Sequence, residues 1–193
     1  MKKFDRLNEK GKTIDEVARF MVSAHAGQFR KGIPIPYFSH PMSVLRIAAV
    51  EWEVKDRITL DAILCHDVKE DCKHVKELEI VDMIGDTASG VVDELTFEPD
   101  KDAPISVADQ KVIYMDGFFD SSIRSLVGKF ADRVDNTCDY ILSDPNYAVE
   151  YWNKASSLIT AFQSRYDEIT DFYGLEVAAS MRYSKNIIEQ KLQ

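Results

Sequence analysis

Apolar residues recur at three- and four-residue intervals along most of this chain and nowhere alternate with polar ones over the length of a strand, which predicts an all-α fold, a helical bundle. The first helix is predicted to open at Thr13, where Thr13-Ile14-Asp15-Glu16 has the spacing of a capping box and Ile14, Val17, Ala18, Met21 and Ala24 share one face; it should end near Ala26-Gly27. Residues 28–39 contain Gly32, Pro34 and Pro36, so they form a loop, and that loop carries Arg30 and Lys31. Pro41 suits the first turn of a second helix with Val44, Leu45 and Ala48 inward, leaving His40 at its N-terminal edge. Thr59 is the expected cap of a third helix, whose Leu60, Ile63 and Leu64 lead straight into His66-Asp67.

Further helices are predicted at 74–84, closed by Gly85, and at 87–96, 106–116 and 121–142, the last with Ile123, Leu126, Val127, Phe130 and Val134 on its apolar side. Pro99 and Pro104 among acidic residues mark 97–105 as an exposed loop, and two or three more helices are expected beyond Pro145. There is no repeat and no interdomain linker. The whole of 1–193 therefore reads as one domain, with a motif core at about 13–142 and residues 145–193 completing the bundle. Tyr147, Tyr151, Trp152, Phe162 and Tyr166 in that last stretch are expected to pack in the core.

Composition narrows the function classes. With 45% hydrophobic and 30% charged residues, the chain is neither a disordered nor a membrane-spanning type, and no apolar run approaches the ~20 residues that cross a bilayer. The N-terminal Met1-Lys2-Lys3 is not followed by an apolar signal region, so the expected address is the cytoplasm. Three cysteines, Cys65, Cys72 and Cys138, without CxxC spacing are expected to be reduced thiols. A net charge of −9 opposes binding to a nucleic acid polymer. Arg30, Lys31, Lys129 and Arg133, beside the candidate site segments, suit a small phosphorylated nucleotide instead. A homo-oligomer is left open.

The chemistry concentrates in His66-Asp67-Val68-Lys69-Glu70-Asp71. On a helix, His66 and Glu70 share a face, as do Asp67 and Asp71, and Leu60 to Cys65 upstream is strongly apolar. An unpaired carboxylate after a buried stretch is costly and normally finds a metal, a charge or a hydrogen bond. With His40 from Pro36-Tyr37-Phe38-Ser39-His40-Pro41 and Asp132 from Lys129-Phe130-Ala131-Asp132-Arg133, the set reads as a mononuclear metal site of His40, His66, Asp67 and Asp132. Mixed imidazole and carboxylate ligands suit a divalent transition ion. Four protein ligands leave an open position only if coordination exceeds four, which favours Mn²⁺ or Fe²⁺ over a closed Zn²⁺ site. Such an ion acidifies water and polarises a phosphoryl oxygen, with Glu70 or Asp71 orienting or deprotonating the attacking water. His25 is expected to pack or hydrogen-bond, and His74 to be exposed.

These segments, together with Ala24-His25-Ala26-Gly27-Gln28-Phe29-Arg30-Lys31-Gly32, Val92-Asp93-Glu94-Leu95-Thr96 and Asn136, resemble the HD hydrolase superfamily, most closely the (p)ppGpp-hydrolase domain of RelA/SpoT homologues and the stand-alone small alarmone hydrolases. The resemblance implies one Mn²⁺ on His40, His66, Asp67 and Asp132, water activation by Glu70 with Asp71, and release of pyrophosphate from the ribose 3′ position. It also implies Arg30 against the guanine, Lys31 and Lys129 facing phosphates, and Asn136 near the sugar or phosphate. Tyr37 would either stack on a base or pack in the core. The chain departs from the family at Asp135, where an aromatic residue or histidine is usual, and at Lys69 and Cys72. An extra carboxylate at Asp135 would repel a phosphate-rich ligand. The length leaves no room for a synthetase domain, so hydrolysis alone is expected. The competing readings are an HD phosphohydrolase of other (deoxy)nucleotides or of a nicotinamide dinucleotide phosphate, and a nucleotide-binding regulator without turnover.

Overall fold

In the computed structural model, which describes residues 7–31 and 33–193, Thr13 caps α1 (Ile14–Ala24) with the full reciprocal capping box, its side chain accepting from Glu16 N–H and its backbone N–H donating to the Glu16 carboxylate at 2.8 Å. Val17, Met21 and Ala24 are the buried stripe. The lysines at the extreme N-terminus and Gly32 lie outside the described residues. The loop after α1 is tied by an isolated antiparallel bridge between Phe29 and Pro36, and no strand occurs among the described residues.

Helix α2 spans Ser39–Arg46, so it starts two residues before Pro41 and takes His40 into its first turn. It widens into a π-helical turn, Ile47–Glu51, closed by Trp52 N–H donating five residues back to Ile47 O at 3.0 Å. That turn delivers the Trp52 indole to the core, where it donates to Ser184 Oγ at 2.9 Å and stacks on Phe130 with ring centroids 5.8 Å apart.

The cap of α3 (Arg57–Cys65) is Asp56 and not Thr59. Asp56 accepts from the Thr59 backbone N–H at 3.0 Å and its hydroxyl at 2.6 Å, and Arg124 Nε donates to the same carboxylate at 2.8 Å. A charged acceptor already paired to Arg124 displaces the hydroxyl three residues on. Burial opposes ionisation of Asp56, but the bonds from Arg124 and Thr59 outweigh it and hold the carboxyl below its ordinary 3.8. A depressed carboxyl stabilises the fold above its unfolded pKa and loses that contribution as pH falls through its folded pKa. Asp56→Ala is therefore expected to cost about 1–2 kcal/mol near neutral pH, read by urea unfolding, with the deficit shrinking in acid below the ordinary carboxylate range.

Next come α4 (Val68–Asp71), α5 (Glu77–Ile84), α6 (Asp86–Leu95) and α7 (Val107–Asp116). Gly85, at φ 91°, takes the left-handed conformation between α5 and α6 that other residues resist. Helix α8 (Ile123–Ser143) is the hub: α2, α3, α6, α9 (Pro145–Asn153), α10 (Ser156–Ser164) and α12 (Leu175–Lys191) all pack on it, with α11 (Tyr166–Tyr173) bracing α12. Four helices follow Pro145, where two or three were expected. Phe130 of α8 sits between Trp52 and Phe162, the latter with its centroid 4.7 Å away. At Gly128 an added Cβ would lie 3.3 Å from Leu95 and 3.5 Å from Ile63, so α8 runs close against α3 and α6. One turn after Gly128, Asp132 meets His40 of α2 at 3.2 Å. Among the described residues no helix is long and apolar enough to cross a membrane.

Candidate metal centre and phosphate pocket

Leu60, Ala62, Ile63, Leu64 and Cys65 of α3 are all essentially inaccessible, and the helix ends at Cys65, so His66 and Asp67 form the turn into α4 rather than continuing one helix. The His66 Nδ1 lies 2.7 Å from Ile63 O. A carbonyl only accepts, so Nδ1 carries the hydrogen and the neutral ring presents a lone pair at Nε2. That Nε2 is buried without a hydrogen-bond partner, although Asp67 Oδ2 is 3.0 Å away. A buried lone pair left in this way fits a cation.

His40, held in the first turn of α2, brings its Nε2 to 3.2 Å from Asp132 Oδ1 and 3.6 Å from Asp67 Oδ2. The two imidazoles meet edge-on, with centroids 5.2 Å apart. Ligand atoms of His40, His66 and Asp67 all lie within 4.8 Å of one another, and the Asp132 contact to His40 makes a fourth. Donors that each sit about 2 Å from one ion fall into this range of mutual spacing. Two imidazole nitrogens and one carboxylate, from His40, His66 and Asp67, thus lie at spacings a divalent metal accommodates, with Asp132 beside His40.

The electrostatics agree. Burial disfavours charge on every member, yet the cluster overrides it. Asp132 and Asp135 hold His40 protonated up to about 9 despite its burial. The imidazoles keep Asp67 below the usual carboxylate range, and Lys129 with His40 does the same for Asp132.

Around this core Lys129 Nζ approaches Asp132 Oδ2 at 3.0 Å, and Asn136 Nδ2 donates to Asp132 Oδ1 at 2.5 Å. Tyr37 lines the pocket, donates its hydroxyl to Asp67 Oδ2 at 2.7 Å and leans its ring on His25. Arg30 reaches across from its loop to Asn136 Oδ1 at 3.2 Å and Asp139 Oδ2 at 2.5 Å. Lys31 is exposed and does not line the pocket. Glu70 lines it and accepts from Phe97 N–H at 3.2 Å; burial and the nearby Asp67 charge raise its pKa. Asp71 lies off the wall, with its carbonyl accepting from Gln28.

The pocket in front of these groups has a volume of about 130 Å³. Its lining adds residues the sequence reading passed over: Phe97, Lys111 and Tyr114, and Tyr151, which was expected in the core. Lys111 stands three and four residues before Tyr114 and Met115, a spacing that puts it on the inward face of α7 and was available in the sequence. The Arg133 guanidinium lies 4.0 Å over the Tyr151 ring, and its Nε is buried without a hydrogen-bond partner. Asp135 does not line this pocket: it is buried, 2.7 Å from His40 Nδ1, so the expected repulsion of phosphate is replaced by a contact to a candidate ligand. His25 is buried between Gln28 Oε1 and Cys72 Sγ, and His74 is exposed. All three cysteines are free thiols; burial lifts Cys72 to about 11, which keeps it protonated.

No protein-family model matches the chain. It is 30% identical, over 93% of its length and 90% of the relative's, to the guanosine-3′,5′-bis(diphosphate) 3′-pyrophosphohydrolase MESH1 of Xenopus tropicalis. The Drosophila melanogaster MESH1 is 30% identical over 67% of this chain and 70% of its own. A Vibrio cholerae guanosine-3′,5′-bis(diphosphate) 3′-pyrophosphohydrolase is 36% identical over 58% of this chain, a match to 16% of that longer protein. A solved metazoan orthologue of SpoT that hydrolyses ppGpp shares the fold, with a TM-score of 0.65, 22% identity, and coverage of 91% of this chain and 96% of that one.

Proposed function

This chain belongs to the guanosine-3′,5′-bis(diphosphate) 3′-pyrophosphohydrolase family, and from that premise we propose that it hydrolyses ppGpp at the ribose 3′ position to GDP and pyrophosphate. The observation that carries the reading is the cluster of His40, His66 and Asp67 beside a pocket that His40, Asp67 and Asp132 line together with three cations, Lys111, Lys129 and Arg133. His40, His66, Asp67 and Asp132 would hold the divalent ion, which we take to be Mn²⁺. When bound, it supplies Lewis acidity toward a phosphoryl oxygen and toward water.

The chain's own groups do the rest. Glu70 takes the proton of the attacking water: it faces the pocket, one of its oxygens is fixed by Phe97 N–H, and its raised pKa makes it a stronger base than an ordinary glutamate. Lys129 and Lys111 balance the charge of the 3′ diphosphate. Burial and the like charges of Lys129 and Arg133 lower the Lys111 pKa, a cation crowded in the manner that an anionic ligand relieves. Arg133, its guanidinium over the Tyr151 ring, adds a third positive charge. Tyr37 and Asn136 orient Asp67 and Asp132, which aim their remaining lone pairs. A pocket of about 130 Å³ is smaller than the ~300 Å³ of a typical complete ligand site. It takes the scissile diphosphate and leaves sugar and base at the rim, near the loop that carries Arg30.

Lys111→Ala is expected to raise KM for ppGpp by about 10-fold or more, the worth of one charge-assisted hydrogen bond, with kcat less affected. Steady-state kinetics on both proteins measures it. The reading itself is tested by incubating the protein with Mn²⁺ and ppGpp, GTP, deoxynucleoside triphosphates or a nicotinamide dinucleotide phosphate, and resolving products by ion exchange. GDP plus pyrophosphate from ppGpp is the expected result; an inert ppGpp peak beside a cleaved deoxynucleotide would assign the site to another phosphoester.

A further inference from the structure

We propose that Asp135 is a positioning residue for the metal centre: it holds the His40 ring by its Nδ1 hydrogen and makes Nε2 a stronger donor than a histidine backed by a neutral group. The proposal rests on the reading of His40 as a metal ligand.

Asp135 Oδ2 lies 2.7 Å from His40 Nδ1, and both residues are buried. An ionised carboxylate only accepts, so the hydrogen of a neutral His40 must sit on Nδ1 and the lone pair on Nε2, the nitrogen that faces Asp132 and Asp67. Asp132 and Asp135 are three residues apart on α8, hence on one helical face, and they grip the same imidazole from its two nitrogens. A single helix thereby supplies one candidate ligand and sets the orientation of another.

The two histidines are supported differently. His66 Nδ1 faces the Ile63 carbonyl, a neutral acceptor, at the same 2.7 Å distance at which His40 meets a carboxylate. A charged acceptor polarises the imidazole further and raises its basicity as a ligand. With Asp67 and Asp132 neutralising a divalent ion, Asp135 adds one buried negative charge behind His40. The sequence departure from the family at position 135 therefore acts behind a ligand and not on the nucleotide.

Loss of such support typically weakens metal binding 10- to 100-fold. The test is the dissociation constant for Mn²⁺, from the electron paramagnetic resonance signal of free ion, for wild type, Asp135→Ala and Asp135→Asn at one pH. Circular dichroism in chelator checks that each variant is folded. Asp135→Ala is expected to bind Mn²⁺ about 10- to 100-fold more weakly. Asp135→Asn, which keeps an oxygen to accept from Nδ1 but has no charge, should fall between it and wild type, a graded rescue that a packing role would not produce. Undiminished affinity in Asp135→Ala overturns the proposal. If that variant fails to fold, Asp135→Asn decides in the same way. A wild type that binds no Mn²⁺ would remove the metal centre itself, and the inference with it.

Discussion

An Asp67→Ala variant is expected to fold and to release no measurable pyrophosphate from ppGpp. Asp67 is the point where the site's parts meet: its Oδ2 accepts from Tyr37 at 2.7 Å and faces the Nε2 atoms of His66 at 3.0 Å and His40 at 3.6 Å. Removing it takes away one of two carboxylate donors and half of their negative charge, and leaves the Tyr37 hydroxyl without its acceptor. The fold does not depend on it in the same way. Asp67 sits in a turn after α3, whose packing is carried by Leu60, Ile63 and Leu64 and whose cap is Asp56. Circular dichroism and ion-exchange analysis of products measure the two halves of this expectation.

The second large effect is expected at Glu70. Glu70→Gln keeps the size of the side chain and an oxygen to accept from Phe97 N–H, but it cannot take a proton. A positioned base is worth about 10²–10⁴ in rate, so kcat should fall by that factor while KM changes little. Asp71→Asn should be milder, because Asp71 lies off the pocket wall and its backbone carbonyl is engaged by Gln28. Equal losses in the two variants would contradict the assignment of Glu70 as the base. Burial and the Asp67 charge raise the Glu70 pKa above its ordinary 4.5. The wild-type rate should accordingly decline on the acid side at a pH above that value, since the base works only when ionised.

How far the sequence foretold this molecule depends on what decides each feature. The α8 stripe was legible because it is a long amphipathic repeat, and Ile123, Leu126, Val127, Phe130 and Val134 are all buried as their spacing required. The meeting of His40, His66 and Asp67 follows from polar groups next to apolar runs, which demand partners. Caps chosen by tertiary pairing were not: Asp56 takes the role expected of Thr59 because Arg124, far along the chain, meets it. The helices after Pro145 were undercounted because only one of their breaks, Gly174, carries a residue that announces a stop; those at Lys154-Ala155 and Arg165 do not. Aromatic character alone points Tyr151 to the core, whereas its ring is covered by Arg133 and faces the pocket. The sequence shows the charge of Asp135 but not its direction, which is toward His40 and away from the pocket.

The central claim, that this constellation is a divalent-metal centre hydrolysing ppGpp, is tested most directly by following ppGpp with purified protein in Mn²⁺, in chelator, and in chelator with Mn²⁺ restored. GDP and pyrophosphate formed in the first, absent in the second and recovered in the third is the predicted result. Hydrolysis that persists unchanged in chelator, or ppGpp left intact in Mn²⁺, would contradict it.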